Sequence, residues 1–523
     1  MSKLKRREFL KIAGGTVAAY SMPISLHAKS EAKGDHKALV IVDLAGGNDS
    51  LNMFIPSDEK DITAYPAYKA SRVEKITVKN NDLTDALGDK DTLTLSLGKE
   101  NPYYANSLSE AYRKGFYKHL GAFDGKIATN ALMPEIAHLM NRGKGAIVYN
   151  VGNIIKEATK EELKNKTVKI PTSFNSHVDA QKYIASGVSS SLTLSSGWLG
   201  ALADKWQISD NEGVNGKSIY EMNMNLSKFG SSPMFFSNSA KSINIDPNGP
   251  ALFRGYKDET EKEVYEETLK IERRDLFKRL YTQSRRQAIR ETIETTVDWK
   301  NITGDADPFK GLTNAYGQKL FELPKAGVLG VSPVFTSYIK QFEAAARLIA
   351  IGEKKGLKRQ VIMIRLGGWD THTNADIYHA RNLRGLSLGV GAFQIAIDSL
   401  GLSNNVTLAS VSEFGRTTAS NDTGTDHGWG ASQFVIGNAV KGGGYGKLAD
   451  FTLGGSDDLS TKGSVIPTTS FSQYYATLAR WFAKGIDEDI DETLASILPE
   501  LKNFNKDNSK SKTDERDLGF MKT

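Results

Sequence analysis

The chain of 523 residues contains no cysteine. Disulfides and thiolate metal ligands are thereby excluded, so any metal would be held by carboxylate, imidazole, hydroxyl or amide groups. A long apolar run is also lacking. The weakly apolar stretch from Ile12 to Leu26 is broken by Gly14-Gly15 and Pro23, and it falls short of the roughly 20 residues that a spanning helix needs. No transmembrane anchor is expected in the mature protein. Nor is there a charge bias, because most of the formal +6 comes from Lys3, Lys5, Arg6, Arg7 and Lys11 against Glu8. The remainder is near neutral and offers no basic face or stripe, which argues against nucleic acid as a partner.

What is present begins with Lys5-Arg6-Arg7-Glu8-Phe9-Leu10-Lys11, an apolar stretch, and a candidate cleavage site near Leu26-His27-Ala28. The pattern is that of a twin-arginine signal peptide over residues 1–28. It predicts export by the twin-arginine machinery after folding, to the periplasm or onward to the cell surface or medium. At the other end, residues 504–523 mix both charges with few apolar side chains and are expected to form a disordered tail.

Between these ends no Pro- or Ser-rich linker divides the chain, so residues 38–503 are expected to form one domain. Four largely apolar runs, 38–42, 145–149, 360–364 and 406–411, read as parallel strands covered on both faces. Helical patterns alternate with them: Leu132 to Arg142, Ala180 to Ser186, Ser337 to Lys355, Ala380 to Leu400 and Tyr474 to Lys484. The fold class is therefore α/β, a doubly wound, mostly parallel sheet sandwiched by helices. A highly charged segment near 257–300 reads as a helical insertion that packs one stripe, including Leu269, Ile293 and Val297, on the core.

In such a sheet ligands bind beyond the carboxyl ends of the strands. After the first strand stands Gly46-Gly47-Asn48-Asp49-Ser50, which is also an ordinary turn sequence. Ser173-Phe174-Asn175-Ser176-His177 leads into a helix, where Asn175 or Ser176 could simply cap it. After 360–364 comes Gly367-Gly368-Trp369-Asp370-Thr371-His372, with a carboxylate and an imidazole two residues apart and so aimed at one point by an extended backbone. Ser412-Glu413-Phe414-Gly415-Arg416 and Gly424-Thr425-Asp426-His427-Gly428 follow the last run. His119, His138 and His379 have plainer surface or structural readings. One account of the strand-end set is a polar network that holds loops together. The sharper one is a site for one or two divalent cations (Zn, Mn, Mg or Ca) made from Asp49, Asp370, His372, Glu413, Asp426 and His427, with Ser176 as nucleophile or ligand beside His177. Such a site suits metal-assisted cleavage of a phosphoryl or sulfuryl ester. Arg416 would clamp the anion or else pair with Glu413.

These motifs, together with Gly197-Trp198-Leu199-Gly200 and in this order, resemble the bacterial family catalogued as domain of unknown function 1501. The resemblance spans nearly the whole mature chain and implies an exported protein of the alkaline phosphatase and sulfatase superfamily. It implies an alkaline phosphatase-like fold, Asp49, Asp370 and His427 as metal ligands, and Ser176 at the nucleophile position. Relatives with two metals carry Asp-His where this chain has Glu413-Phe414, so one cation site is expected to be altered or missing. No formylglycine motif occurs, which argues against a sulfatase of that type. The expected function is a metal-dependent hydrolase of a phosphate or related anionic ester. The alternative is a degenerate relative that binds a glycan, an envelope polymer or a protein partner.

Overall fold

Strand β1 (Lys37–Ala45) sends Ala38, Val40, Val42 and Leu44 into one apolar cluster, and Leu39 and Ile41 into a second. A strand that buries both faces must lie inside a layered sheet. That sheet has nine strands in the computed structural model, which describes residues 35–87, 107–207, 221–226, 231–250, 259–270, 275, 278–279, 282, 294–324, 333–504 and 516–522. Its other members are β2 (Gly145–Gly152), β3 (Asn223–Asn225), β4 (Ser242–Asn244), β5 (Arg359–Gly367), β6 (Val406–Val411), β7 (Ala431–Ile436), β8 (Gly443–Tyr445) and β9 (Thr469–Ser470). The order is β8-β2-β7-β6-β1-β5-β3-β4, with β9 also on β2. Only β7 runs antiparallel to its neighbours.

Helices cover both faces. On one side α1 (Pro134–Asn141), α4 (Pro333–Lys354) and α5 (Ala375–Ser399) contribute Ile136, Phe342, Leu348, Leu383 and Val390 to the first cluster. On the other, α3 (Trp198–Gln207) and α6 (Phe471–Ala483) bring Trp198, Leu202, Tyr474 and Leu478 to the second. The α/β class and the mostly parallel sheet are thus as expected. A mixed element, β7, was not read from the sequence, because its direction depends on the hairpin that precedes it.

The parallel arrangement sets β1, β5 and β6 with their carboxyl ends at one edge, and β7 enters the sheet from that same edge. The loops after Ala45, Gly367 and Val411 and the segment before Ala431 therefore meet there.

Two expectations need correction. The C-terminal tail is not disordered throughout: in residues 516–522, Phe520 is fully buried against Tyr445 and Tyr474, and Val440 bridges Met521. Three apolar side chains, Leu518, Phe520 and Met521, suffice to dock this short end among charged neighbours. In the charged insertion, helices are present at Glu259–Lys270 and over 294–303, but Val297 is 51% exposed, while Thr295, Thr296 and Ile302 are buried there. Residues 1–28, read above as a signal peptide, and much of the insertion, Ile293 included, lie outside the described residues. No helix among the described residues is long and apolar enough to cross a membrane.

Candidate metal centre

Backbone chemistry brings the strand-end loops together. Gly46 has φ +125°, and a Cβ there would lie 2.5 Å from the Asp370 backbone nitrogen; at Gly47, φ +77°, a Cβ would lie 2.2 Å from the Phe414 ring. Only glycine permits both the left-handed turn and these close approaches. The hairpin Arg416–Ser420/Thr425–His427 is stitched to the loop after β5, with Thr425 N–H donating to Thr371 O at 3.2 Å and Ala375 N–H to Thr423 O at 2.8 Å. This puts His372 beside His427. His177 opens helix α2 (His177–Ser186), and the Asn175 carbonyl just before it lies 2.8 Å from His427 Nδ1.

The product is a cluster of three imidazoles around one carboxylate. Asp370 Oδ1 lies 3.0 Å from His372 Nε2 and 3.3 Å from His427 Nε2, while Oδ2 lies 3.5 Å from His177 Nε2. His372 Nε2 and His427 Nε2 are 3.0 Å apart. Two ligand nitrogens on a tetrahedral ion with bonds of about 2.0–2.1 Å would sit at ~3.3 Å, so the spacing suits a shared cation. His177, Asp370 and His427 offer ligand atoms that all lie within 4.8 Å of one another. Each ring is also held from behind at Nδ1: His177 by Glu413 Oε1 at 2.9 Å, His372 by Asp426 Oδ1 at 3.4 Å, and His427 by the Asn175 carbonyl. Those outer contacts favour the tautomer that leaves the Nε2 lone pairs of His177 and His427 facing inward, whereas His372 Nε2 also faces Arg416 Nη1 at 3.4 Å.

Electrostatics follow from these contacts. Burial pushes the Asp370 carboxyl up, but the hydrogen bond and charge of Arg416, with His372 and His427, outweigh it and hold the group below its usual range. Hydrogen bonding to Glu413 raises His177. Burial lowers His427, the Asn175 carbonyl opposing.

Several expected roles change. Asp49 is fully buried and both its oxygens are taken by the Arg72 guanidinium, so it does not converge with Asp370 and His427. Glu413 is not turned to the cluster as a ligand; it is fully buried, its Oε1 accepting from Gly46 N–H at 2.9 Å as well as contacting His177. Asp426 stands behind His372. Arg416 neither clamps an open anion site nor pairs with Glu413: its fork is spent on the carbonyls of Gly46, Gly47, Thr425 and Trp369 and on Asp370 Oδ1, and its Nη1 also faces His372 Nε2 at 3.4 Å. The five N–H donors of the guanidinium face four turn carbonyls, the Asp370 carboxylate and the His372 ring, so none is left for an added anion. Ser176 occupies the N-cap of α2 without a side-chain capping bond. His119 and His379 are buried structural residues, bonded to Asn141 and Thr129 and to Tyr112 and Asn48.

Arg72 and the Asn175 carbonyl were missed by sequence reasoning. Arg72 belongs to no motif, and nothing local marks a carbonyl as a histidine's partner. Phe414, 1% exposed, lays its ring 4.5 Å from His427 and 5.1 Å from His177, closing that side of the cluster with an apolar surface.

A family model described as "Protein of unknown function (DUF1501)" matches residues 36–462. No match was found among curated proteins. Among solved structures, the crystal structures of Ps i-CgsB, alone and in complex with k-i-k-neocarrahexaose, are similar at 10% identity and a TM-score of 0.27, over 71% of this chain and 72% of theirs. A likeness of that degree carries no argument about fold or activity.

Proposed function

The chain belongs to the DUF1501 family, and from its site we propose that it is a metal-dependent hydrolase of a phosphate or related anionic ester, in an alkaline phosphatase-like arrangement. The observation that carries this reading is the convergence of the Nε2 atoms of His177, His372 and His427 on Asp370, each ring held from behind at Nδ1. Three imidazoles and one carboxylate suit zinc or manganese better than the all-oxygen shells of magnesium and calcium. Arg416 occupies part of Oδ1, which leaves Oδ2 of Asp370 for the ion. One cation fits and a second does not, because Arg72 neutralises Asp49 and the Phe414 ring fills the neighbouring space.

Such a cation would polarise a phosphoryl or sulfuryl oxygen. The chain supplies Ser176 as nucleophile, immediately before His177 and with its hydroxyl not committed to capping. Glu413 keeps His177 in one tautomer, and Phe414 excludes water from one side of the cluster. The start of the sequence, with Arg6-Arg7, supports export by the twin-arginine route to the periplasm or cell surface. A second reading, a degenerate protein that binds an envelope polymer, a glycan or a protein partner, draws on one observation: the guanidinium of Arg416 is consumed by protein acceptors.

The test is metal analysis of full-length protein purified without chelator, with aryl phosphate and phosphodiester assays. We expect one equivalent of zinc or manganese, its loss in Asp370→Asn and His427→Gln, and turnover at least ~100-fold lower in Ser176→Ala. Bound metal without Ser176-dependent turnover on any ester would sink the hydrolase and leave the binding protein.

A further inference from the structure

Arg381 differs from the buried arginines among the described residues. Arg72, Arg347, Arg359, Arg384 and Arg416 all face carboxylates: Asp49, Asp307 with Glu343, Asp35, Glu135 and Asp370. Arg381 is half-buried, its Nε is buried without a hydrogen-bond partner, and among the described residues its guanidinium makes no ion pair. A guanidinium brought partly out of water needs anionic acceptors. Its guanidinium lies over the ring of Tyr378, one turn earlier on α5, at 5.3 Å from the centroid. Tyr378 is 43% exposed and its neighbour Ile377 45%.

Asn382, the residue next to Arg381 on α5, donates to the Gly368 carbonyl at 2.6 Å, two residues before Asp370. Arg381 is close enough to Tyr338 for its charge to act on that hydroxyl, and Tyr338 donates to the Gly367 carbonyl at 2.7 Å. Gly367 and Gly368 are exposed and lead through Trp369 to Asp370. Three residues span at most ~11 Å, so the strip from Gly367 to Asp370 matches the length of one or two sugar rings. Its floor is bare: a Cβ at Gly367 would meet nothing within 4 Å, and Gly368, φ +93°, is confined to glycine. An exposed backbone strip thus lies near a half-exposed aromatic ring and a guanidinium that makes no ion pair among the described residues.

We propose that Tyr378 and Arg381 form a substrate subsite for an acidic sugar ring, Arg381 binding its carboxylate or sulfate and Tyr378 packing on its C–H face. The proposal rests on reading the neighbouring cluster as the centre that cleaves the ester. A planar fork of donors pairs bidentately with either oxyanion, and an aromatic face accepts the apolar side of a pyranose. A nucleotide shares the anion and a stacking face, yet the chain has no basic stripe to follow a phosphate backbone.

Calorimetric titration of the full-length protein with trigalacturonate and with a 4-sulfated chondroitin disaccharide tests the subsite and separates carboxylate from sulfate. Maltotriose and adenosine monophosphate are the comparisons. Binding of at least one acidic sugar is expected, weakened tenfold or more in Arg381→Gln and in Tyr378→Ala, and kept in Tyr378→Phe. Metal content should stay the same in all three variants. No binding by the wild type, equal binding by Arg381→Gln, or equal affinity for maltotriose or the nucleotide would overturn the subsite. Loss of the hydrolase reading has a different signature, namely sugar binding that depends on Arg381 in a protein without Ser176-dependent turnover.

Discussion

Single residues in this protein carry charge states that burial dictates. His119 and His379 are fully buried, and burial lowers each imidazole to about 4 from 6.5. Between those values the unfolded chain binds protons that the folded chain refuses, so stability rises with pH across the window. Each histidine should contribute roughly 3 kcal/mol that is fully present above pH 6.5 and lost as the pH falls to 4. Urea denaturation at pH 7, 5.5 and 4 would register this, and His379→Gln should flatten the dependence by about half. An unchanged slope in His379→Gln would mean that its ring is protonated in the folded state. Asp49 follows the opposite logic. Burial works to raise it, but the Arg72 pair outweighs that and keeps it ionised. In the sequence, Gly-Gly-Asn-Asp marked Asp49 as a residue at the sheet edge, which it is. Its partner lies 23 positions away in a stretch without a motif, so the difference between a ligand and a buried ion pair had no local trace.

Elements are joined on the first helical layer by a second buried pair. Arg384 on α5 donates to both oxygens of Glu135 on α1, at 2.6 and 2.7 Å, and Ser387 adds a third bond at 2.6 Å. Removing one partner strands the other charge in a low-dielectric interior, so Glu135→Ala should cost roughly 3–5 kcal/mol. Replacing both residues, as Glu135→Leu with Arg384→Met, should recover most of that loss. The two variants compared by urea melts decide the matter, since a double variant as unstable as the single one would rule out charge burial as the cause. The elements themselves were legible: both-face apolar runs became β1, β2, β5 and β6, and the helical periods became α1, α4, α5 and α6. Their ends moved by a few residues because capping and the last sheet bonds, not periodicity, set the boundaries. The direction of β7 was hidden, as it depends on how the 416–427 hairpin turns the chain back.

At the scale of the whole molecule, the C-terminus closes the fold over the second apolar cluster. Phe520 is fully buried, Lys441 N–H donates to Phe520 O at 2.7 Å, and Lys522 N–H to Ala439 O at 2.8 Å. Phe520→Ala should therefore destabilise by roughly 3–5 kcal/mol, seen as a lower urea midpoint, whereas a loose tail would show no change. Charge composition concealed this, because three apolar residues in a charged stretch fall below any periodic signal. The sequence by itself determined the parallel α/β sheet and the site's place at its carboxyl edge, since apolar runs and glycine turns are local properties that set where strands end. It also marked Asp370, His372 and His427, whose residue types and spacing suit a metal site. Only the tertiary structure decided which of the marked residues face one another. Bringing loops from positions 46, 177, 370, 413 and 427 together sets side-chain direction through long-range contacts. Those contacts turned Glu413 and Asp426 to the backs of the histidines, spent Arg416 on turn carbonyls, and sealed Asp49 against Arg72.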